Sequence, residues 1–137
     1  MTPTHVVAKI LLVNPAGETL TLRRSETAPR RPLEDDIPGG WVDEGEDFTA
    51  AAIRETEEES GIRLALKDLQ LVYTHTAKHD GNNTCWLFFI AHTKETEVTL
   101  SSEHDKAEWR TLDQAIEAID YDVQRDFLTY VRDNDLL

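Results

Sequence analysis

The sequence holds a single cysteine, Cys85, among 137 residues, which rules out an internal disulfide and any cysteine-based zinc cluster. A reduced compartment, the cytoplasm, is the expected setting. Long apolar runs are missing as well. The longest, Cys85 to Ala91, is seven residues, far below the roughly 20 that a membrane-spanning helix needs. The opening residues Met1-Thr2-Pro3-Thr4-His5 lack the basic region and apolar core of a secretory leader, so none is expected. Positive charge is scarce: 14 Lys and Arg stand against 27 Asp and Glu, a net charge of −13. Such a surface repels nucleic-acid backbones, whose binding depends on neutralising phosphates with basic side chains. Neither nucleic acid nor membrane is therefore an expected partner. A free nucleotide is repelled too, so an acidic chain that handles phosphates must bring counter-charge to its site, usually Mg²⁺ or Mn²⁺. The plainer alternative is that the acidity serves solubility.

What is present suits one globular domain over residues 1–137, with 39% hydrophobic and 30% charged residues and no repeat or long linker. His5 to Val13 reads as a strand, Asn14-Pro15-Ala16-Gly17 as a turn, and Glu18 to Arg24 as a second strand with Leu20 and Leu22 on one face. Ser25 to Asp36, with two prolines and mixed charge, reads as a surface loop, and Trp41-Val42 as a short strand after Pro38-Gly39-Gly40. Asp47 is the expected N-cap of a helix from Phe48 to about Glu59, stopped by Gly61. Leu69–Thr76 and Thr84–His92 read as strands joined through Asp80-Gly81-Asn82-Asn83, and Ala107–Arg110 as a last strand. Leu112–Ile119 and Val123–Val131 read as helices, with Val123, Phe127 and Val131 spaced by four. Intermingled strands and helices predict an α/β fold, a mixed sheet with helices on both faces.

The informative stretch is Gly39 to Ile62. Glu55, Glu58 and Glu59 stand at i, i+3 and i+4 and share one helical face, while Glu57 points elsewhere. Like charges at these spacings cost about 0.2–0.5 kcal/mol per pair. Their place near the helix C-terminus, where the dipole favours cations, adds about 0.3–1 kcal/mol each. Arg54 offsets only part of this. A solvated acidic face is the bland reading, whereas a divalent cation converts the repulsion into coordination by hard oxygen ligands. Ala50, Ala51, Ala52 and Ile53 make the preceding turn small and apolar, and the paired glycines permit close approach of backbone.

This segment resembles the signature of the Nudix hydrolase family. Gly40, Glu46, Arg54, Glu55, Glu58, Glu59, Gly61 and Ile62 occupy every fixed position, and Thr56 departs from it by standing where a bulky aliphatic residue is usual. The resemblance implies a Nudix-type α/β/α sandwich that hydrolyses a nucleoside diphosphate linked to another group, using Mg²⁺ or Mn²⁺. It implies Glu58 and Glu59 as metal ligands and Glu55 as a residue that binds metal or activates water. Arg54 would hold a glutamate in place, Glu46 would support the loop, and the Gly39 carbonyl would add a metal ligand. Glu103, with Glu108 as its competitor, is similar to a further carboxylate that many members supply from beyond the signature. Arg23 and Arg24 resemble an arginine pair that meets substrate phosphates; as residues alone they read equally as a surface pair near Glu26.

Trp86 and Phe88 alternate on one strand face, as a base-stacking platform or as buried core. Cys85 reads as a small core residue. His75 and His79 lie on a strand and turn, which argues against zinc. The proline that ADP-ribose hydrolases often carry beyond the signature is absent, and this leaves a nucleoside triphosphate, oxidised ones included, as the expected small-molecule substrate. ADP-ribose, another nucleotide sugar or a dinucleotide is the alternative, and so is a non-catalytic nucleotide-binding regulator. A monomer or homodimer is expected.

Overall fold

Branched aliphatic residues run almost without interruption from Val6 to Val13, and they build the strand on which the rest of the sheet is assembled. The computed structural model describes residues 4–79 and 81–137. The leader reading at Met1-Thr2-Pro3, the Asp80 turn position and the His79 side chain lie outside the described residues. The strands are β1 (Thr4–Val13), β2 (Thr19–Arg24), β3 (Asp35–Asp36), β4 (Gly39–Trp41), β5 (Leu69–His79), β6 (Asn82–His92) and β7 (His104–Arg110). The helices are α1 (Phe48–Ser60), α2 (Leu112–Ala118) and α3 (Asp122–Asp133), with a 3₁₀ turn at Leu66–Asp68.

The sheet runs β3-β2-β1-β6-β5, with β4 also paired to β1 and β7 to β2. Only β1 and β6 are parallel, in register from Thr4↔Asn83 to Val13↔His92. The free edge of β1 is divided. Val13 pairs with Thr19 at one end, and Val7, Ala8 and Lys9 pair with Trp41, Gly40 and Gly39 at the other. The sheet therefore forks beside Lys9, and the glycine loop enters at the fork.

Alternation along β1 supplies both cores. Ala8, Ile10 and Leu12 face one way, joining Leu20, Leu22 and Phe89 under Ala52 of α1 and the nearby Ile62. Leu11 and Val13 face the other way, joining Phe88 and Ile90 under Ala115, Phe127, Leu128 and Val131 of α2 and α3. Helices thus cover both faces of a mixed sheet, as expected. At the ends of α1, Gly61 takes the left-handed conformation (φ 76°), but the Asp47 side chain makes no backbone cap and bonds the Thr49 hydroxyl instead. Thr56 fits the aliphatic position sterically, yet its hydroxyl is buried with no partner among the described residues, which costs about 1–3 kcal/mol.

Three readings change. β3 lies inside the expected surface loop, because Asp35 and Asp36 extend the ladder of β2 at Arg23 and Leu22. β7 starts at His104, three residues early, since its polar residues are tolerated on a strand that pairs with β2 alone. Cys85 is only partly buried, toward the open end of β6.

Gln124 of α3 is wholly buried; its Oε1 accepts from the Ile37 N–H at 3.0 Å and its amide donates to Asp36 Oδ1. Gln124→Leu leaves the buried Ile37 N–H without an acceptor and Asp36 Oδ1 with Lys9 as its remaining donor, and we expect a loss of about 1–3 kcal/mol in denaturant unfolding at unchanged m-value. A loss below about 1 kcal/mol would show that water or a neighbour satisfies them equally well.

Candidate active site

Two glycines make the site possible for different reasons. Gly39 sits at φ 129°, and a Cβ there would lie 2.1 Å from the Ala8 carbonyl oxygen, so only glycine lets the loop run against β1. At Gly40 a Cβ would come within 2.8 Å of the Glu55 carboxyl group. Its absence makes room for that carboxylate at the N-terminal side of the loop.

The three glutamates of α1 share a face but not an environment. Glu59 is buried, at 5% exposure, and its Oε1 accepts the Gly39 N–H at 2.8 Å. Glu55 is half-buried and Glu58 is largely exposed. Glu57 turns away to Arg63. Arg54 holds the group together: it donates twice to Glu46, at 2.7 and 2.9 Å, once to Glu55 at 3.0 Å, and to both oxygens of Glu58 at 3.3 Å. The Glu46 carboxyl is held down to about 2, chiefly by Arg54, and it also accepts the Asp43 N–H.

The residue before β7, Glu103, brings a further carboxylate to this face, and His104, the first of β7, an imidazole. Donor atoms of Glu59, Glu103 and His104 all lie within 4.8 Å of one another. Glu108 does not join them; it pairs with Lys106 at 2.6 Å and Arg110 at 2.8 Å. Burial pushes the Glu59 carboxyl up to about 8 despite Lys9 and the Gly39 N–H, and the negative charge of Asp36 and Glu55 adds to the rise. Burial also raises Glu55, against the pull of Arg54. Carboxylates that resist ionisation because they are buried among like charges fit a divalent cation, which supplies the missing counter-charge. The Gly39 carbonyl already accepts from Lys9 Nζ at 3.1 Å, and its second lone pair remains available.

Lys9, Asp36 and His104 carry no signal in the sequence, yet they form the buried floor beside the glutamates. Lys9 Nζ donates to Asp36 Oδ1, to the Ile37 carbonyl and to the Gly39 carbonyl, each at 3.1 Å. Burial alone would raise the Asp36 carboxyl; Lys9 foremost, then the His104 ring, with Arg31 and Gln124, holds it far below the ordinary carboxylate range.

The same Asp36 anchors a cleft. Arg24 donates to its Oδ2 at 3.3 Å, and Arg31 approaches it at 3.9 Å. Arg24, Arg30 and Arg31 line a cleft of about 490 Å³ together with Trp41, Trp86 and Tyr121. Trp41 and Trp86 both pair with Val7, on the strands either side of it. Their backbones are therefore about 10 Å apart, two strand spacings, and both line the cleft. Tyr121 also lies under the Arg31 guanidinium at 4.1 Å. The two arginines expected on phosphates part company here: Arg24 faces the cleft, while Arg23 turns to Asp105 at 2.7 Å on the neighbouring strand. The aromatic pair parts too. Phe88 is wholly buried under α3, and Trp86, nearer the strand's open end, is left at the cleft wall.

A mixed sheet between helical layers, with a glycine loop feeding a carboxylate-bearing helix beside an arginine-lined cleft, defines an α/β domain with an acidic cluster set next to a basic cleft. The NUDIX domain family matches residues 3–131, and the chain belongs to this family. It is 30% identical over 128 residues to an RNA pyrophosphohydrolase of Caulobacter vibrioides, covering 80% of this chain and 73% of that protein. It is also 30% identical over 91 residues to the asymmetrical bis(5'-nucleosyl)-tetraphosphatase of Rattus norvegicus, covering 62% of this chain and about 60% of the rat enzyme's length. Among solved structures, the MutT protein of Methanosarcina mazei Go1 superposes with a TM-score of 0.84 at 25% identity, over 98% of this chain and 96% of that one. A C. elegans Ap4A hydrolase superposes with a TM-score of 0.70 at 29% identity, over 92% and 95%.

The raised Glu59 carboxyl generates a stability prediction. Its folded value, about 8, lies above the ordinary 4.5. Its contribution is therefore complete at low pH and lost as pH rises through the folded value. In chelator-treated protein we expect Glu59→Gln to match the parent near about pH 5 and to melt at a higher temperature by about pH 8.5, where the parent buries an anion. Parallel melting curves across that range would show that Glu59 is not held protonated.

Proposed function

We propose that the chain is a metal-dependent pyrophosphohydrolase that cuts inside the polyphosphate chain of a nucleoside triphosphate, oxidised ones included. The observation that carries this reading is the convergence of Glu55, Glu59 and Glu103 at the glycine loop, next to a cleft lined by Arg24, Arg30 and Arg31. Glu58, Glu59, Glu103 and the Gly39 carbonyl would hold Mg²⁺ or Mn²⁺, with Glu55 beside them. When bound, the metal neutralises phosphate oxygens and lowers the pKa of water.

The side chains do the rest. Arg24 and Arg31, braced by Asp36, receive the phosphates, and the Trp41–Trp86 slot takes the base by stacking. Arg54 fixes the Glu55 carboxylate, which accepts the proton of the attacking water; its raised pKa makes it a better base than an exposed glutamate. Water then attacks a phosphorus between two phosphates, giving a monophosphate and pyrophosphate. A dinucleoside polyphosphate is the second reading. It is favoured by three guanidinium groups in one cleft and by two tryptophans, Trp41 and Trp86, which in this reading each stack a separate base.

Two experiments decide. Chelation should abolish hydrolysis and Mg²⁺ or Mn²⁺ restore it, and Glu58→Gln should lower kcat by about 10²-fold or more at saturating metal, an effect of about 3 kcal/mol on the barrier. Full activity in metal-free protein contradicts the reading. For the reaction itself, nucleoside triphosphates, a dinucleoside tetraphosphate and a 5'-triphosphate RNA are turned over in ¹⁸O-water and the products weighed. Monophosphate plus pyrophosphate from a triphosphate is expected. Orthophosphate as the first product overturns the reaction, and tight binding without turnover across the panel favours a regulator.

A further inference from the structure

His104 is the least explained side chain in the molecule. It is 4% exposed, yet among the described residues neither ring nitrogen has a hydrogen-bond partner. A buried imidazole ordinarily satisfies at least one nitrogen, because it has left water to enter the interior. The two nitrogens nevertheless face defined groups. Nδ1 lies 3.9 Å from Glu59 Oε2, and Nε2 lies 3.9 Å from Asp36 Oδ2. Glu103, adjacent in sequence, completes a set of donor atoms within 4.8 Å of one another.

We propose that His104 is a nitrogen ligand of the metal site, binding through Nδ1 beside Glu59 and Glu103, with Asp36 as the positioning residue that receives its Nε2–H. The proposal rests on the reading that Glu59 and Glu103 hold a divalent metal. Two donors each about 2.1 Å from one ion are at most about 4.2 Å apart, so the 3.9 Å between Nδ1 and Glu59 Oε2 is within the span of a single ion. Metal-bound histidines characteristically give their other N–H to a carboxylate, which fixes tautomer and orientation. Asp36 suits that role because Lys9, Arg24 and Gln124 hold it in place and ionised. A nitrogen donor also shifts selectivity: Mg²⁺ takes oxygen ligands almost exclusively, whereas imidazole is accepted by Mn²⁺ and more strongly by Co²⁺ or Zn²⁺.

The test reads the metal directly. Full-length protein is stripped with chelator and titrated with Mn²⁺, and pulsed electron paramagnetic resonance is used to look for modulation from a directly bound ¹⁴N. Wild type should show it. Folded His104→Gln should lose it while still binding Mn²⁺, with the Mn²⁺-over-Mg²⁺ preference reduced at least tenfold. Asp36→Asn should keep the nitrogen signal and weaken Mn²⁺ binding about 10–100-fold. Bound Mn²⁺ with no nitrogen signal in wild type overturns the proposal and leaves the glutamate site standing. A nitrogen signal that survives in folded His104→Gln overturns it as well. No Mn²⁺ binding at all overturns both. If His104→Gln does not fold, the wild-type spectrum still decides between nitrogen and all-oxygen ligation, and His5→Gln, His75→Gln and His92→Gln exclude the other described histidines.

Discussion

The buried ammonium of Lys9 and the carboxylate of Asp36 meet at the fork of the sheet, and most of the site geometry follows from that contact. Neither group could remain in the interior alone, because an unpaired buried charge costs several kcal/mol. Together they are nearly insulated from water, and each is satisfied by further partners. Lys9 ties β1 to the Ile37 and Gly39 carbonyls. Asp36 ties β3 to α3 through Gln124 and to the cleft through Arg24. A hydrophobic pair of equal volume would pack the same space, but it would not fix the loop carbonyls or hold two arginines at the cleft wall. The pair is thus better understood as an orienting device than as a source of stability.

The glutamate helix was legible in the sequence because its chemistry is local. Glu55, Glu58 and Glu59 lie within two turns, and the 3.6-residue period alone puts them on one face. The same holds for Gly61 and for the Val123, Phe127 and Val131 stripe. Lys9, Asp36 and His104 were illegible for the opposite reason. Lys9 and Asp36 meet across 27 residues and Asp36 and Gln124 across 88, so no short window of sequence contains these contacts. Lys9 looks like a lone charge within a strand. Asp36 sits in a stretch whose prolines and mixed charges read as surface, although the strand pairing carries it inside. Arg23 and Arg24 illustrate the same limit at short range: strand alternation sends adjacent residues to opposite faces, and which one faces the cleft depends on the pairing of β2 with β7.

The acidity that opens the sequence also has a local structure. The net charge of −13 is spread over the surface, but the cleft itself gathers three arginines and no described carboxylate among its lining residues. A polyanion approaching the protein is repelled at long range, yet within a Debye length of about 8–10 Å the nearest charges dominate. Arriving as a metal complex lowers the ligand's own charge and reduces that repulsion. On the proposed reading, the glutamates and the arginines, both reached through Asp36 and its neighbours, would act on different parts of one ligand, the carboxylates on its metal and the guanidiniums on its phosphates. Such division explains why Arg54, though central to the glutamates, is no substitute for the cleft arginines. Its donors are committed to Glu46, Glu55 and Glu58, which leaves it to set the carboxylate geometry and leaves phosphate binding to the far wall.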